Sequence, residues 1–409
     1  MDEWVTLTEL HDAYLNCKHR KGNTEACAIF ESNLSRNLIQ LHRELNNGTY
    51  QIGYSNAFCV TRPKAREVFA AEFRDRIVHH LLIMRTLTIF EDTFIDDTYN
   101  CRAGKGTSYG HLRMLEMANE YADGWVLCCD IKSCFPSIRK TQLADELEEF
   151  LVANYHGKDL KQVVWLTRMI ALHEPQNKCI RKGDLNLWKL IALEKSLFTC
   201  AKGLGMAIGN LTSQIYVNFH LSPVDKFLYN MAKIRHGRYV DDLRIFAHTN
   251  RELVEIAPKL REFLKNDRHM TLHPTKISIQ PVRHGFDFIG ATIRPGRIYV
   301  GKRTVANFMN MVRLYNALPE SELIQSLEKF VQRYNSYSGY LKHYQTYALH
   351  WIVWNSVDEK VKKYVYLSNK LCVLHVRNQY KKINKIKQDY NDLRKHSIQQ
   401  LHSLKQSAS

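Results

Sequence analysis

Hydrophobic and polar positions fall into short, separable blocks along this chain. The run WVLCCDI (residues 125–131) stays apolar until it closes on an acid, which predicts a buried strand with its carboxylate at the exit. Farther on, Leu143, Leu147, Phe150 and Leu151 share one helical face. Val217, Leu221, Val224 and Leu228 repeat that spacing, with Pro223 expected to bend the second helix. In GRYVDDLRIFAHT (237–249), the flanks Tyr239-Val240 and Ile245-Phe246-Ala247 predict a tight hairpin with Asp241 and Asp242 at its tip. Strand, helix, helix, hairpin is the order of an α+β sheet with helices packed on one face. Beyond residue 300 the pattern is helical: Val305, Phe308, Val312 and Tyr315 mark one amphipathic helix, 323–345 a second, and Ile383, Ile386, Tyr390 and Leu393 a third.

A chain of 409 residues, 45% of them hydrophobic, can bury the cores of two or three domains. Lys and Arg outnumber Asp and Glu by 58 to 41, and the net charge of +17 points to a polyanionic partner, nucleic acid before membrane. No apolar stretch approaches the roughly 20 residues of a spanning helix. The start MDEWVTLTEL has neither a basic nor an apolar signal region, so a cytoplasmic protein is expected. The last 60 residues carry 12 Lys or Arg against 4 Asp or Glu and read as a basic helical tail, either a nucleic-acid grip or a solvated helix. The 10 cysteines include Cys128, Cys129 and Cys134 but no C-x-x-C pair, and most are expected to be buried small hydrophobes in a reducing compartment.

Adjacent carboxylates repel unless a cation lies between them, so Asp241-Asp242 is either a solvated turn or part of a divalent-metal site. Asp130, at the exit of a strand able to pair beside the hairpin, brings a third acid to the same edge. Three such acids make a two-metal centre for phosphoryl transfer. The stretches CDIKSCFPSI (129–138), GMAIGNLTSQIYVNFHLSPVD (205–225) and RYVDDLRIF (238–246) stand in the order and spacing of reverse transcriptase motifs. The chain resembles a prokaryotic reverse transcriptase, most of all the diversity-generating retroelement type, with antiviral defence reverse transcriptases as the near alternative. The resemblance runs through RPKAREVFAAEFRDRIVHHLL (62–82), CRAGKGTSYG (101–110), LHPTKI, GFDFIGATI and RYNSYSGYLKH, covering about residues 50–345.

This resemblance implies a right-hand polymerase. Its parts would be an N-terminal region with fingers (1–115), a palm on a ferredoxin-like sheet (116–295, with an insertion near 140–204), a helical thumb (296–349) and a basic helical C-terminal extension (350–409). Asp130 and Asp241 would be the principal metal ligands, with Asp242 beside them and the Ile131 carbonyl supplementary, holding two Mg2+ ions or Mn2+ in their place. Phe135 would be the aromatic gate that excludes a ribose 2'-hydroxyl. Lys64 and Arg66 would grip the incoming triphosphate, with Arg74 and Arg76 as weaker candidates, and Lys276 would protonate the departing pyrophosphate. Gly104, Lys105 and Gly106 would meet the template. Gly209, Asn210, Ser213 and Gln214 would line the pocket under the new base pair, and 285–290 would grip the primer. The implied partners are a structured noncoding or template RNA, the cDNA product, deoxynucleotides and an accessory protein, without a membrane. Three departures leave the chemistry intact but weaken the retroelement assignment and make the defence type a rival: Met206-Ala207 where Leu-Pro is usual, Arg244 where an apolar residue is common, and the long basic tail. A non-catalytic RNA-binding scaffold is opposed by the intact acids, since clustered carboxylates repel phosphate.

Overall fold

The apolar blocks assemble into two compact units, Met1–His284 and Gly285–Ser409. The computed structural model describes residues 3–19, 21–61, 64–231, 234–368 and 373–380. The helical stripe expected over 383–393 lies outside these.

The first unit opens with three helices, α1 (Leu7–Lys18), α2 (Glu25–Glu31) and α3 (Leu34–Asn46). A capping box starts α1: Thr6 Oγ1 accepts from the Glu9 amide at 3.2 Å, and the Glu9 carboxylate accepts from the Thr6 amide at 2.9 Å. Strands β1 (Ser55–Val60) and β2 (Arg66–Ala71) pair antiparallel before the long helix α4 (Phe73–Glu91), and α5 (Thr107–Glu120) follows.

The predicted strand is present as β3 (Trp125–Ile131). After it come α6 (Cys134–Ser137), α7 (Lys140–Asn154), α8 (Leu160–Leu172) and β4 (Cys179–Lys182), which pairs parallel to β1 to give the order β2-β1-β4. Three 3-10 turns lead on to α9 (Leu211–Tyr229), whose Val217, Leu221, Val224 and Leu228 are all fully buried. The helix runs on through Pro223 to its end.

Next come β5 (Arg235–Tyr239), β6 (Asp242–Ala247), α10 (Asn250–Asn266) and β7 (Leu272–Pro281). Their sheet is antiparallel, in the order β5-β6-β3-β7. Period-two alternation gives the sheet two unlike faces. Leu127, Cys129 and Ile131 of β3 and Leu243, Ile245 and Ala247 of β6 point to one side and are buried in the main core with residues of α7, α9 and α10. The other face begins apolar at the paired Val126 and Phe246, then turns polar toward the hairpin with Cys128 opposite Arg244 and Asp130 opposite Asp242.

The second unit has its own core. Strands β8 (Phe286–Phe288), β9 (Ala291–Arg294) and β10 (Arg297–Val300) form a three-stranded antiparallel sheet, followed by α11 (Lys302–Ala317), α12 (Glu320–Leu341), α13 (Tyr347–Asn355) and α14 (Glu359–Lys362). Phe308, Val312, Leu327, Phe330 and Tyr334 pack within it. The region after 350 is not wholly helical as expected. It contains a hairpin, β11 (Val365–Ser368) with β12 (Val373–Val376), because Val365, Leu374 and Val376 repeat at the strand period and bury against the same core. Asn335 of α12 holds that hairpin, accepting from the Leu374 amide at 2.7 Å and donating to the Leu374 carbonyl at 2.9 Å.

Candidate active site

Asp130 stands at the last polar-face position of β3, and the ladder with β7 breaks beside it, shifting register between Cys129 and Ile131. Such an irregularity frees an acidic side chain from the regular pleat. Opposite, β5 and β6 are joined through Val240 and Asp241, so Asp241 sits in the turn while Asp242 already opens β6. Val240 takes φ +58°, a left-handed conformation that a two-residue hairpin requires and a β-branched side chain resists. The amide of Ile131 donates to the Asp241 carbonyl at 3.0 Å, tying the turn to β3.

The three expected acids meet at the hairpin end of the sheet, with Asp130 opposite Asp242 and the charges of both raising the Asp241 carboxyl. Asp130 and Asp241 stand close enough for the charge of one to act on the other. Burial pushes the Asp241 carboxyl up to about 7, and the negative charge of Asp130 adds to the rise. Asp242 Oδ1 also accepts from Nη1 of Arg244 at 2.6 Å. Arg244 lies two residues on along the same strand face, so its guanidinium neutralises the acid that would otherwise be a third negative charge. Despite burial, Asp242 keeps Arg244 firmly protonated. Among the described residues, no three His, Cys, Asp or Glu side chains converge to hold a metal ion. Two carboxyls that need a proton to sit together fit a divalent cation, which would take the proton's place.

Lys276, on β7 beyond the break, makes an ion pair with Asp130. Phe135 in α6 is half-buried against the main core, and its carbonyl accepts from the Met206 amide at 2.8 Å, which anchors the segment carrying the Met-Ala departure. Gly209 takes φ +129°, and a Cβ there would meet the Phe69 carbonyl at 2.8 Å. The glycine permits this contact with β2. Asn210, the N-cap of α9, accepts from the Ala71 amide at 3.1 Å and fastens the same strand. Ser213 is buried, and Gln214 meets the thiol of Cys101 through its side-chain carbonyl. Cys101 is an exposed cysteine, unlike Cys129 and Cys134.

The remaining candidates stand apart from the acids in kind. Lys64 and Arg66 are exposed at the start of β2. Arg74 pairs with Glu44 at 2.5 Å, and Arg76 donates to the Ala71 carbonyl at 2.9 Å, so both are committed within the protein. Lys105 pairs with Asp96 at 2.6 Å, while Gly104 and Gly106 take positive φ in the turn that leads into α5. In the second unit, 285–290 spans β8, with Gly285 and Gly290 at φ +81°.

The motifs alone assign no role to two residues under the hairpin, Arg238 inside RYVDD and Asp225 at the end of GMAIGNLTSQIYVNFHLSPVD. Both are fully buried and paired at 2.5 Å. An aspartate among the apolar residues of α9 was the available signal for Asp225; β5, Arg-His-Gly-Arg-Tyr, is polar in sequence and offered none for Arg238.

Residues 62–293, more than half of the chain, match the reverse transcriptase (RNA-dependent DNA polymerase) family. The chain belongs to that family of nucleotidyltransferases. Among solved structures it is similar to the apo telomerase of Candida tropicalis truncated from its C-terminal domain (12% identity, TM-score 0.43, covering 59% of this chain and 53% of that one). It is also similar to Candida albicans telomerase in complex with a TWJ fragment of telomeric RNA (10%, 0.43, 77% and 61%). A third likeness is to apo telomerase from Candida tropicalis (11%, 0.44, 77% and 63%). The chain thus spans less than two thirds of each of these relatives. No curated protein matches it.

Proposed function

We propose that the chain is an RNA-directed DNA polymerase that copies a dedicated structured RNA into cDNA. The observation that carries this reading is the meeting of Asp130 and Asp241 at the hairpin end of the sheet β5-β6-β3-β7, in a chain of the reverse transcriptase family. On this reading the sheet β5-β6-β3-β7 is the palm, β2-β1-β4 belongs to the fingers, and the helices of the second unit make the thumb.

Asp130 and Asp241 would hold the metal, with the Ile131 carbonyl supplementary and Asp242 kept beside them by Arg244. Two divalent ions, Mg2+ or Mn2+, would activate the primer hydroxyl and offset the charge of the leaving pyrophosphate. Lys276 already touches Asp130 and is placed to hand a proton to the departing group. Phe135 closes the sugar side against a 2'-hydroxyl, Lys64 and Arg66 take the triphosphate, and Gly209, Asn210, Ser213 and Gln214 support the new pair. Gly104, Lys105 and Gly106 lie on the template side. Partners would be the template RNA, its cDNA, deoxynucleotides and an accessory protein, in the cytoplasm. Among the described residues no helix is long and apolar enough to cross a membrane.

Primer extension by the wild type, abolished in Asp241→Ala plus Asp242→Ala, is the expected outcome. Equal incorporation by both proteins would refute the polymerase and leave the RNA-binding scaffold. Within the polymerase class we favour a diversity-generating-retroelement-like system. The antiphage reading is supported by Met206-Ala207, Arg244 and the basic tail. Sequencing cDNA made on co-purified RNA separates them: errors opposite template adenines belong to diversification, and defined or repetitive copies to defence.

A further inference from the structure

We propose that the buried ion pair of Asp225 and Arg238 is a positioning device that aims Asp241 by holding the carbonyl of Val240 from beneath. This rests on the reading of Asp130 and Asp241 as the metal-holding pair.

Every nitrogen of the Arg238 guanidinium is engaged. Nε lies 2.9 and 3.0 Å from the two Asp225 carboxylate oxygens, and Nη2 lies 2.5 Å from Oδ2. Nη1 donates to the Val240 carbonyl at 3.2 Å and to Asn218 Oδ1 at 3.4 Å, and Nη2 also reaches the Asn218 carbonyl at 3.4 Å. The anchor is braced in turn. Thr98 Oγ1 donates to Asp225 at 3.1 Å, His236 Nε2 stands 3.5 Å from it, and Asn218 Nδ2 donates to the Asn100 carbonyl at 2.6 Å. The Arg238 backbone joins the same segment, its amide donating to the Asp97 carbonyl at 2.9 Å and its carbonyl accepting from the Tyr99 amide at 3.0 Å. Helix α9, strand β5 and residues 97–100 thus converge on one guanidinium. Burial alone would raise the Asp225 carboxyl, but Arg238 overturns this and holds it down at about 2, so the pair stays charged.

Packing alone does not call for such a pair, because well-shaped apolar residues replace buried ion pairs at little or no cost. What only the planar fork supplies is a hydrogen bond to Val240 while it also grips Asp225. Val240 is the residue that needs it. Its backbone at φ +58° is strained for a β-branched side chain, and its conformation sets the direction in which Asp241, the next residue, leaves the turn.

The test is Mn2+ titration of the full chain by electron paramagnetic resonance, below the melting temperature, with melting curves recorded in parallel. Arg238→Lys keeps the charge against Asp225 but cannot serve the carboxylate and Val240 together. Asp225→Leu plus Arg238→Met removes the pair without leaving a buried charge. Leu10→Ala, a core truncation in α1, is the control for stability alone. Both hairpin variants should weaken Mn2+ binding about tenfold, as loss of an outer support of a ligand does. The apolar double variant should do so whatever its melting temperature, while Leu10→Ala melts lower and binds normally. If Arg238→Lys does not fold, the apolar pair decides. Wild-type Mn2+ affinity in a folded hairpin variant would overturn the proposal. Absence of binding in the wild type, or binding that survives Asp241→Asn, would instead refute the metal site on which it rests.

Discussion

Single side chains set the charge balance of the candidate active site. Arg244 pairs with Asp242 and Lys276 with Asp130, while burial and the Asp130 charge hold the Asp241 carboxyl up at about 7. Phe135 illustrates a residue whose role depends on bulk: if its ring excludes the 2'-hydroxyl, Phe135→Val should raise ribonucleotide incorporation by at least about tenfold relative to deoxynucleotide, the scale of one pocket contact. Unchanged selectivity in single-nucleotide extension would return Phe135 to a core role. His79 supports α9 from α4, its Nδ1 lying 2.6 Å from Thr212 Oγ1. Burial, with smaller help from His173, His80 and Arg76, holds this imidazole down at about 3, well below the usual 6.5. The unfolded chain therefore takes up a proton that the native state refuses. The contribution of neutral His79 to stability is complete above about pH 6.5 and is lost as pH falls toward 3, at about 1.4 kcal/mol per pH unit. His79→Gln should flatten the pH dependence of the urea midpoint between pH 6 and 4 by about one proton's worth. An unchanged slope would show that His79 is not held neutral.

At the scale of elements, the segment between β4 and α9 lacks regular strands or long helices, yet it is fastened to the sheet β2-β1-β4. Glu67 of β2 accepts from Ser196 Oγ at 2.5 Å and from the Leu197 amide at 2.9 Å, all within buried surroundings. Glu67→Ala leaves those donors unpaired, at about 1–3 kcal/mol each. Hydrogen exchange of 193–200 should accelerate by tenfold or more while that of β3 stays unchanged. Uniform exchange across the unit would mean that the tether is not local. Elements with strong periodicity were legible in the chain, as β3 and α9 illustrate. The β11–β12 hairpin was not, because four-residue strands give too short a pattern to stand out against neighbouring helical stripes. The turn was misjudged by one residue for a related reason: Val240 is a poor turn residue by propensity and is accepted there only because the surrounding structure supports it.

At the scale of the whole molecule, a charge of +17 favours a polyanion whatever the details of the site. RNA affinity should fall linearly with salt on logarithmic axes, losing roughly 0.7 of a slope unit for each single-strand phosphate contact removed. Truncation after Tyr380 keeps the described core residues and removes 7 of the 58 Lys and Arg residues. If the tail grips nucleic acid, that truncation should reduce the slope without changing the melting temperature. An unchanged slope would make the tail a bystander.

Composition, periodicity and motif spacing determined by themselves the α+β class, the strand that exits on Asp130, the hairpin beside it and the chemistry that such acids suit. These are local properties, readable wherever neighbouring residues dictate backbone shape. Only the tertiary structure decided that Asp130 meets Asp241 while Asp242 turns to Arg244, and that Arg238 reaches across to Asp225. Those pairings depend on strand register and side-chain direction between distant segments, and a slip of one residue would send each side chain to the opposite face of the sheet.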